Sequence, residues 1–229
     1  LGFGQMSLAK YLFISAKEDN PSLRLYQKED FFRHILERVD WTRDIHFQTK
    51  TTIDTLDYSS EELNFGSKVV IAAVGKPIRK LATELPSEIE WPKSVKDVKL
   101  ASVGLVVVQL NAFTDYETAQ KELKEFTEQL NAQLGKLEQI TMIVIADDAP
   151  FVAANFSNFM WVTFTRSNPS HDIYGVGSFT QFKHWGCKGP LIIDARIKPH
   201  HAPALVADPE IEKSVDALAV KGGSLHGII

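Results

Sequence analysis

Asp54 and Asp57 stand three residues apart in a hydroxyl-rich stretch with Thr51, Thr52, Thr55, Ser59 and Ser60. Two carboxylates so spaced can serve acid/base work if desolvation lifts one pKa toward neutrality, although such side chains also satisfy their own loop backbone. Lys68 and Lys188 close the tripeptides Gly66-Ser67-Lys68 and Gly186-Cys187-Lys188, each ahead of an apolar run. A cation and free N–H groups at a strand start can hold a phosphate or carboxylate, so Lys68 and Lys188 are both candidate anion contacts on this ground. A phosphate loop would carry more glycines and a following helix, and Gly175-Val176-Gly177-Ser178 lacks the third glycine of a dinucleotide fingerprint.

His171, His184, Cys187, His200 and His201 gather toward the C-terminal side. Zinc needs three or four converging N or S ligands. The spacings match no familiar framework, adjacent His200 and His201 in an extended stretch are expected to point apart, and no metal is expected. Cys187 becomes a nucleophile only with a lowered pKa and a neighbouring base. His184 would supply that base on a helix, but Gly186, Gly189 and Pro190 argue for a half-buried thiol at a strand start. Arg38 or Arg43 with Asp44, and Arg166 with Asp172, are expected to form ion pairs that fix helix-to-strand turns.

The elements that must position these residues alternate along the chain. Apolar runs predict strands at 10–16, 44–49, 69–74, 104–110 and 141–146, with Leu191-Ile192-Ile193 a further one. Helical spacing predicts helices over 28–39 and 156–165. A longer one covers 115–134, where Ala119, Leu123, Phe126, Leu130 and Leu134 form one stripe. Thr114 with Glu117 fits a capping box at its start. The fold class expected is α/β, with partly parallel sheets covered by helices.

Three ordered matches point to an internal duplication. Tyr11–Ile14 resembles Met142–Ile145, Arg38–Ile45 resembles Arg166–Ile173, and Gly66–Lys68 resembles Gly186–Lys188. The units expected are an incomplete first one at 1–80, a connector at 81–99, a second unit at 100–205 and a tail at 206–229. Ten residues precede Tyr11, too few for a strand and long helix like those at 105–134, so the chain is expected to be the C-terminal part of a longer protein.

Three segments carry a resemblance to a known family. Trp161-Val162-Thr163-Phe164-Thr165-Arg166-Ser167-Asn168-Pro169-Ser170-His171-Asp172 resembles the Trp-Ala-x-Thr-Thr-Arg-x-Asp-Pro-x-x-Asp helix end of the UbiD-type decarboxylases. Thr51-Thr52-Ile53-Asp54-Thr55-Leu56-Asp57-Tyr58 resembles their Thr-Pro-Ile-Asp-Tyr-Leu-Asp-Phe loop, and Gly66-Ser67-Lys68 their strand opening. The chain is thus similar to the C-terminal region of the 3-octaprenyl-4-hydroxybenzoate carboxy-lyase-like enzymes, in the long form associated with menaquinone biosynthesis. The resemblance implies a Rossmann-like α/β domain, which the duplication makes two related βα units where short members have one, and a non-oxidative decarboxylase of aromatic or α,β-unsaturated acids. It further implies prenylated flavin mononucleotide with a divalent metal and potassium in the full-length enzyme. The catalytic groups of such enzymes lie in portions outside this sequence, so no catalytic residue is expected here. Thr52, Ile53, Asp54 and Thr55 are expected to line the substrate pocket, and the partners implied are the missing N-terminal portion and further copies in a homo-oligomer. The alternative is an interaction or oligomerisation module with no direct role at the active site.

Composition narrows the rest. The 229 residues are 44% hydrophobic and 24% charged, the balance of a globular protein. A net charge of −4 removes the electrostatic reason to propose nucleic acid. No apolar run is long enough for an integral membrane segment, and the single cysteine fits a reducing cytoplasm.

Overall fold

The computed structural model describes residues 8–203 and 206–228. The first sheet is built from β1 (Tyr11–Ser15), β2 (Ile45–Thr52) and β3 (Phe65–Ala73), in the order β1-β3-β2. β1 runs parallel to β3, with Tyr11 opposite Val69, and β2 runs antiparallel to it, with Ile45 opposite Ile71. Between β1 and β2, helix α1 (Lys28–Leu36) buries Phe32, Ile35 and Leu36, one face at helical spacing. β2 runs past the expected Thr49, and β3 starts ahead of Val69. After a bulge between Gln48 and Thr51, Thr51 and Thr52 pair with Gly66 and Phe65. Branched threonines suit that ladder although they carry no apolar signal.

The second sheet contains β4 (Asp97–Ser102), β5 (Leu105–Gln109), β6 (Met142–Ala146), β7 (Ile173–Gly175) and β10 (Leu191–Asp194), in the order β4-β5-β6-β10-β7. β5, β6 and β10 are parallel, while β4 and β7 are antiparallel edges. β8 (Ser178–Gln181) and β9 (His184–Cys187) form a separate hairpin. Helix α2 (Tyr116–Asn131) links β5 to β6; α3 (Ala149–Ala153), α4 (Phe156–Thr165) and α5 (Pro169–Asp172) lie between β6 and β7; α6 (Pro209–Ala219) follows. The expected α/β class holds, with parallel and antiparallel pairing in both sheets.

Several local expectations need correction. The end of the segment read as a connector is strand β4, whose charged Asp97 and Lys99 hide it; such charges protect a sheet edge. α2 is capped one residue later than expected, because Asp115, not Thr114, accepts the Thr118 N–H. Arg166 lies 3.7 Å from Asp147 rather than pairing with Asp172, which faces Lys198 instead. The expected ion pair at Asp44 is present, with Arg43 as the partner at 2.6 Å. Gly66-Ser67-Lys68 lies inside β3, whereas Gly186 and Cys187 end β9 and a turn separates them from β10. The register places Val69 and Leu191 at matching points, so Pro190 stands in the place of Lys68.

The two sheets repeat one arrangement of strands. β6-β10-β7, like β1-β3-β2, joins a parallel pair to an antiparallel third strand. Met142 is opposite Leu191 and Ile173 opposite Ile193, the same two-residue step along the central strand as Val69 to Ile71. At the turn before the third strand, Asp44 accepts the Asp40 N–H at 2.9 Å, and Asp172 accepts the Asn168 N–H at 2.6 Å.

One buried cluster joins both sheets. It contains Phe32, Ile35, Val69 and Ile71 from the first and Val107, Val144, Phe159 and Ile193 from the second. Trp41 rivets them: its indole N–H donates to the Thr141 carbonyl at 2.9 Å, and its own carbonyl accepts the Cys187 N–H at 3.2 Å. A second cluster fills the opposite face of the five-stranded sheet, where Leu123, Phe126 and Leu130 of α2 meet Val106, Ile143, Ile145 and Ile192. On the corresponding face of the first sheet, Leu12, Val70 and Ala72 are half-buried and Ile14 is 41% exposed.

Candidate functional site: a buried charged seam beside the 53–64 loop

The loop between β2 and β3 is folded largely by its own polar groups. The Asp54 carboxylate accepts the Leu56 N–H at 2.8 Å, and that of Asp57 accepts the Ser59 N–H at 3.0 Å. Ile53 is turned inward, so close to Gly66 that a Cβ there would lie 2.9 Å from Ile53 Cδ1. Thr52 and Thr55 are exposed and Asp54 half-exposed. Of the residues expected to line a pocket, the backbone thus presents Thr52, Asp54 and Thr55 outward and uses Ile53 as the anchor. Lys68 is buried on β3, opposite Gln48, and is not a free cation.

The loop is pinned to the body by Lys10. Its ammonium donates to Ser59 Oγ at 2.7 Å and lies 2.9 Å from Asp57 Oδ2. Burial pulls the Lys10 pKa down, and Asp57 pushes it back up. On the far side Glu61 Oε1 approaches His200 Nδ1 at 3.9 Å.

Beneath lies a seam of charge at the C-terminal end of β10. The sequence Asp194-Ala195-Arg196-Ile197-Lys198 alternates, sending three charged side chains inward. The Arg196 guanidinium donates to Asp194 Oδ1 at 2.9 Å and Oδ2 at 2.7 Å, to Glu122 Oε2 at 2.5 Å and to the Asn111 carbonyl at 2.9 Å. Burial opposes its charge, but Asp194 and Glu122 prevail and hold its pKa above the usual value. The Lys198 side chain is fully buried; its ammonium lies 3.3 Å from Asp172 Oδ1 and donates to the Asp194 carbonyl at 3.1 Å. Both cations sit over Phe113, with Arg196 Cζ 5.8 Å and Lys198 Nζ 5.3 Å from the ring centroid.

Burial raises the Asp172 carboxyl to about 7, with Lys198 and the Asn168 N–H pulling it back. Burial and the nearby Lys198 charge lower His201 to about 3. His200 and His201 do not point apart: their rings meet edge to face at 4.9 Å, because the turn after Lys198 folds the His201 ring back to accept the Lys198 N–H.

Open cavities flank the seam. One of about 760 Å³ is lined by Asn111, Phe113, Thr118, Lys121, Glu122 and Arg196. Another of about 390 Å³ is lined by Glu61, Phe113, Tyr116 and His200. Sequence reasoning misses Arg196, Lys198, Asp194 and Glu122; the available signal is the charge alternation directly after an apolar strand.

This arrangement does not form a nucleophile or a metal centre. Cys187 is buried at the end of β9 rather than half-buried at a strand start, and burial pushes its thiol up to about 12. His184 sits on the same strand and its ring contacts the Thr42 carbonyl at 3.0 Å. Among the described residues no group of three or more His, Cys, Asp or Glu side chains is placed to hold a metal ion. The seam carboxylates Asp172, Asp194 and Glu122 are engaged by Lys198 and Arg196. The residues present therefore do not fit a flavin phosphate with its divalent ion.

Likeness to known proteins adds to this geometry. Residues 1–73 match the family model described as the 3-octaprenyl-4-hydroxybenzoate carboxy-lyase C-terminal domain, UbiD_C. A Chlamydia pneumoniae protein, described as a subunit of 4-hydroxybenzoate decarboxylase, is 29% identical over 217 residues, covering 94% of this chain and 34% of that protein. An uncharacterised protein of Chlamydia muridarum is also 29% identical over 217 residues, covering 95% of this chain and 34% of its own length. The chain spans about a third (34%) of the length of the curated relatives it matches. Among solved structures, the open form of Sedimentibacter hydroxybenzoicus vanillic acid decarboxylase, with truncated ShVdcD, aligns with 76% of this chain and 45% of its own at 15% identity and a TM-score of 0.35. The UbiD-like likeness expected from the motifs therefore holds at the level of sequence. Among the described residues no helix is long and apolar enough to cross a membrane.

Proposed function

We propose that the chain is the C-terminal portion of a cytoplasmic, prenylated-flavin-dependent carboxy-lyase. The enzyme would act on an aromatic or α,β-unsaturated acid in quinone biosynthesis. The observation that carries this reading is the match of residues 1–73 to the carboxy-lyase C-terminal domain. The shared strand registers and Asp44/Asp172 turns support two duplicated units, 1–80 and 100–205, joined by 81–99 and followed by a tail at 206–229.

The cofactor, with its divalent metal and potassium, belongs to the remainder of the polypeptide and supplies the bond-breaking chemistry when bound. The residues of this chain form a wall. Thr52 at the end of β2, with Asp54 and Thr55 of the 53–64 loop, faces the substrate, while Ile53 holds the loop and Lys68 lies buried on the adjoining strand. The Lys10–Asp57 pair keeps that wall in one position, and a wall that excludes water strengthens the electrostatics inside the site.

The test is decarboxylation by the full-length protein carrying Thr52→Val and Thr55→Val. The expected result is an altered ranking of acid substrates with the native oligomer mass retained; an unaltered ranking overturns the pocket role. This chain alone is expected to release no CO2 from any aromatic acid. A second reading, an assembly module in a homo-oligomer, is favoured by one feature. Ile211, Val215 and Leu218 form an exposed apolar stripe along α6. Loss of the oligomer on Val215→Asp with the substrate ranking unchanged would favour it.

A further inference from the structure

Among the described residues the first sheet carries an unfilled strand position and a face that is only partly buried, and the second sheet shows what fills their counterparts. By register, Leu12 and Val70 stand where Ile143 and Ile192 stand, and Ile14 stands where Ile145 does. Ile143, Ile145 and Ile192 are wholly buried, because β5 pairs along the far edge of β6 and α2 lies across the face. β1 pairs only with β3 among the described residues, and Leu12, Ile14, Val70 and Ala72 belong to neither buried cluster. An apolar face beside an open strand edge is a liability that folded proteins cover.

The geometry points to a β–α unit that docks here: a five-residue strand parallel to β1, opposite Tyr11–Ser15, leading into an amphipathic helix laid over Leu12, Ile14, Val70 and Ala72. β5 and α2 give its dimensions, five residues and 16 residues, and Ala119, Leu123, Phe126 and Leu130 give the helical stripe it must carry. The occupant is a segment of the same polypeptide, N-terminal to this chain. The relatives are about three times as long as the matched region, which leaves ample length to supply it. The direction of the strand also argues for this source. The position opposite β1 matches the one β5 fills in parallel on β6, whereas two copies meeting edge to edge about a two-fold axis would pair their β1 strands antiparallel. This inference rests on reading the chain as a duplicated C-terminal portion, and it names which surface the remainder covers and with what.

The test is thiol labelling of the full-length protein, which needs no catalytic turnover. Ile14→Cys and, separately, Phe182→Cys are treated with a maleimide under native conditions, and the modified peptides are quantified by mass spectrometry. Phe182 is 94% exposed at the hairpin tip and serves as the open reference. The Ile14→Cys thiol is expected to react at least roughly tenfold more slowly, since a packed site labels only through local opening. It should also crosslink through a short bifunctional maleimide to an upstream helix of the same chain. Equal labelling rates, or shielding that vanishes on dilution to monomers, overturn the inference. A full-length enzyme that decarboxylates yet labels fast at Ile14→Cys would defeat this inference alone. A shielded protein that never releases CO2 would instead defeat the proposed function.

Discussion

Leu12 in the first sheet and Ile143 in the second hold matching places beside parallel central strands, yet one is half-buried and the other sealed. The contrast continues past the strand ends. Ala72, Val74 and Lys76 follow the same spacing as Asp194, Arg196 and Lys198, but Lys76 is exposed whereas Lys198 is wholly buried with Asp172. One strand plan has therefore been completed in two chemistries. In the second sheet, apolar layers on both faces make the strand ends dry enough for charge pairing to matter. In the first, the equivalent positions hold Ala72, Val74 and an exposed Lys76, which offer no opposite charges to pair.

That difference can be broken or sharpened by paired substitutions. Lys198→Met should leave Asp172 buried without its partner and cost about 3–5 kcal/mol. Lys76→Met should stay within about 0.5 kcal/mol, both measured by denaturant unfolding; equal costs would dissolve the contrast. Ile145→Ala should destabilise by about 2–5 kcal/mol through the cavity it leaves. In the same chain Ile14→Ala should cost less than about 1 kcal/mol, because solvent already touches that side chain.

A pH series sharpens the comparison further. The Asp172 carboxyl titrates at about 7 when folded, above its ordinary 3.8, because of burial. The native state then binds the extra proton between about pH 4 and pH 7, so the contribution is full at the acidic end and is lost as pH rises toward 7. Unfolding midpoints of the native chain should carry this decline, and Asp172→Asn should flatten it. The smallest effect concerns helix starts. α2 has a side-chain cap and α1, preceded by Gln27, has none. Asp115→Ala should lower the thermal unfolding midpoint while Thr114→Ala leaves it almost unchanged.

Legibility in the sequence follows the physics of each element. The strand at Leu105–Gln109 and the stripe of α2 are plain, because burial on both faces and period-3.6 spacing leave strong marks. The helix at Phe156–Thr165 is legible to the residue. The β8–β9 hairpin is not, since Phe182 and Lys183 both take positive φ (50° and 67°) where Gly or Asn would have announced the turn. The 53–64 loop shows through its motif, but its inward Ile53 does not, because the partner that receives it, Gly66, has no side chain to read. The charged seam stays hidden for another reason. Glu122 and Arg196 are 74 positions apart, and only the parallel stacking of β5, β6 and β10 brings their elements together.

Trp41 carries a consequence for how the molecule comes apart. Its ring is bonded to Thr141, just ahead of β6, and its backbone to Cys187 of β9, both on the far side of the 81–99 segment, and Trp41 itself sits within a cluster that both sheets share. Severing the backbone between Pro86 and Pro92 would accordingly yield two fragments that travel together through gel filtration and melt in a single calorimetric peak. Folding cooperativity is thus expected to run straight across the 81–99 segment.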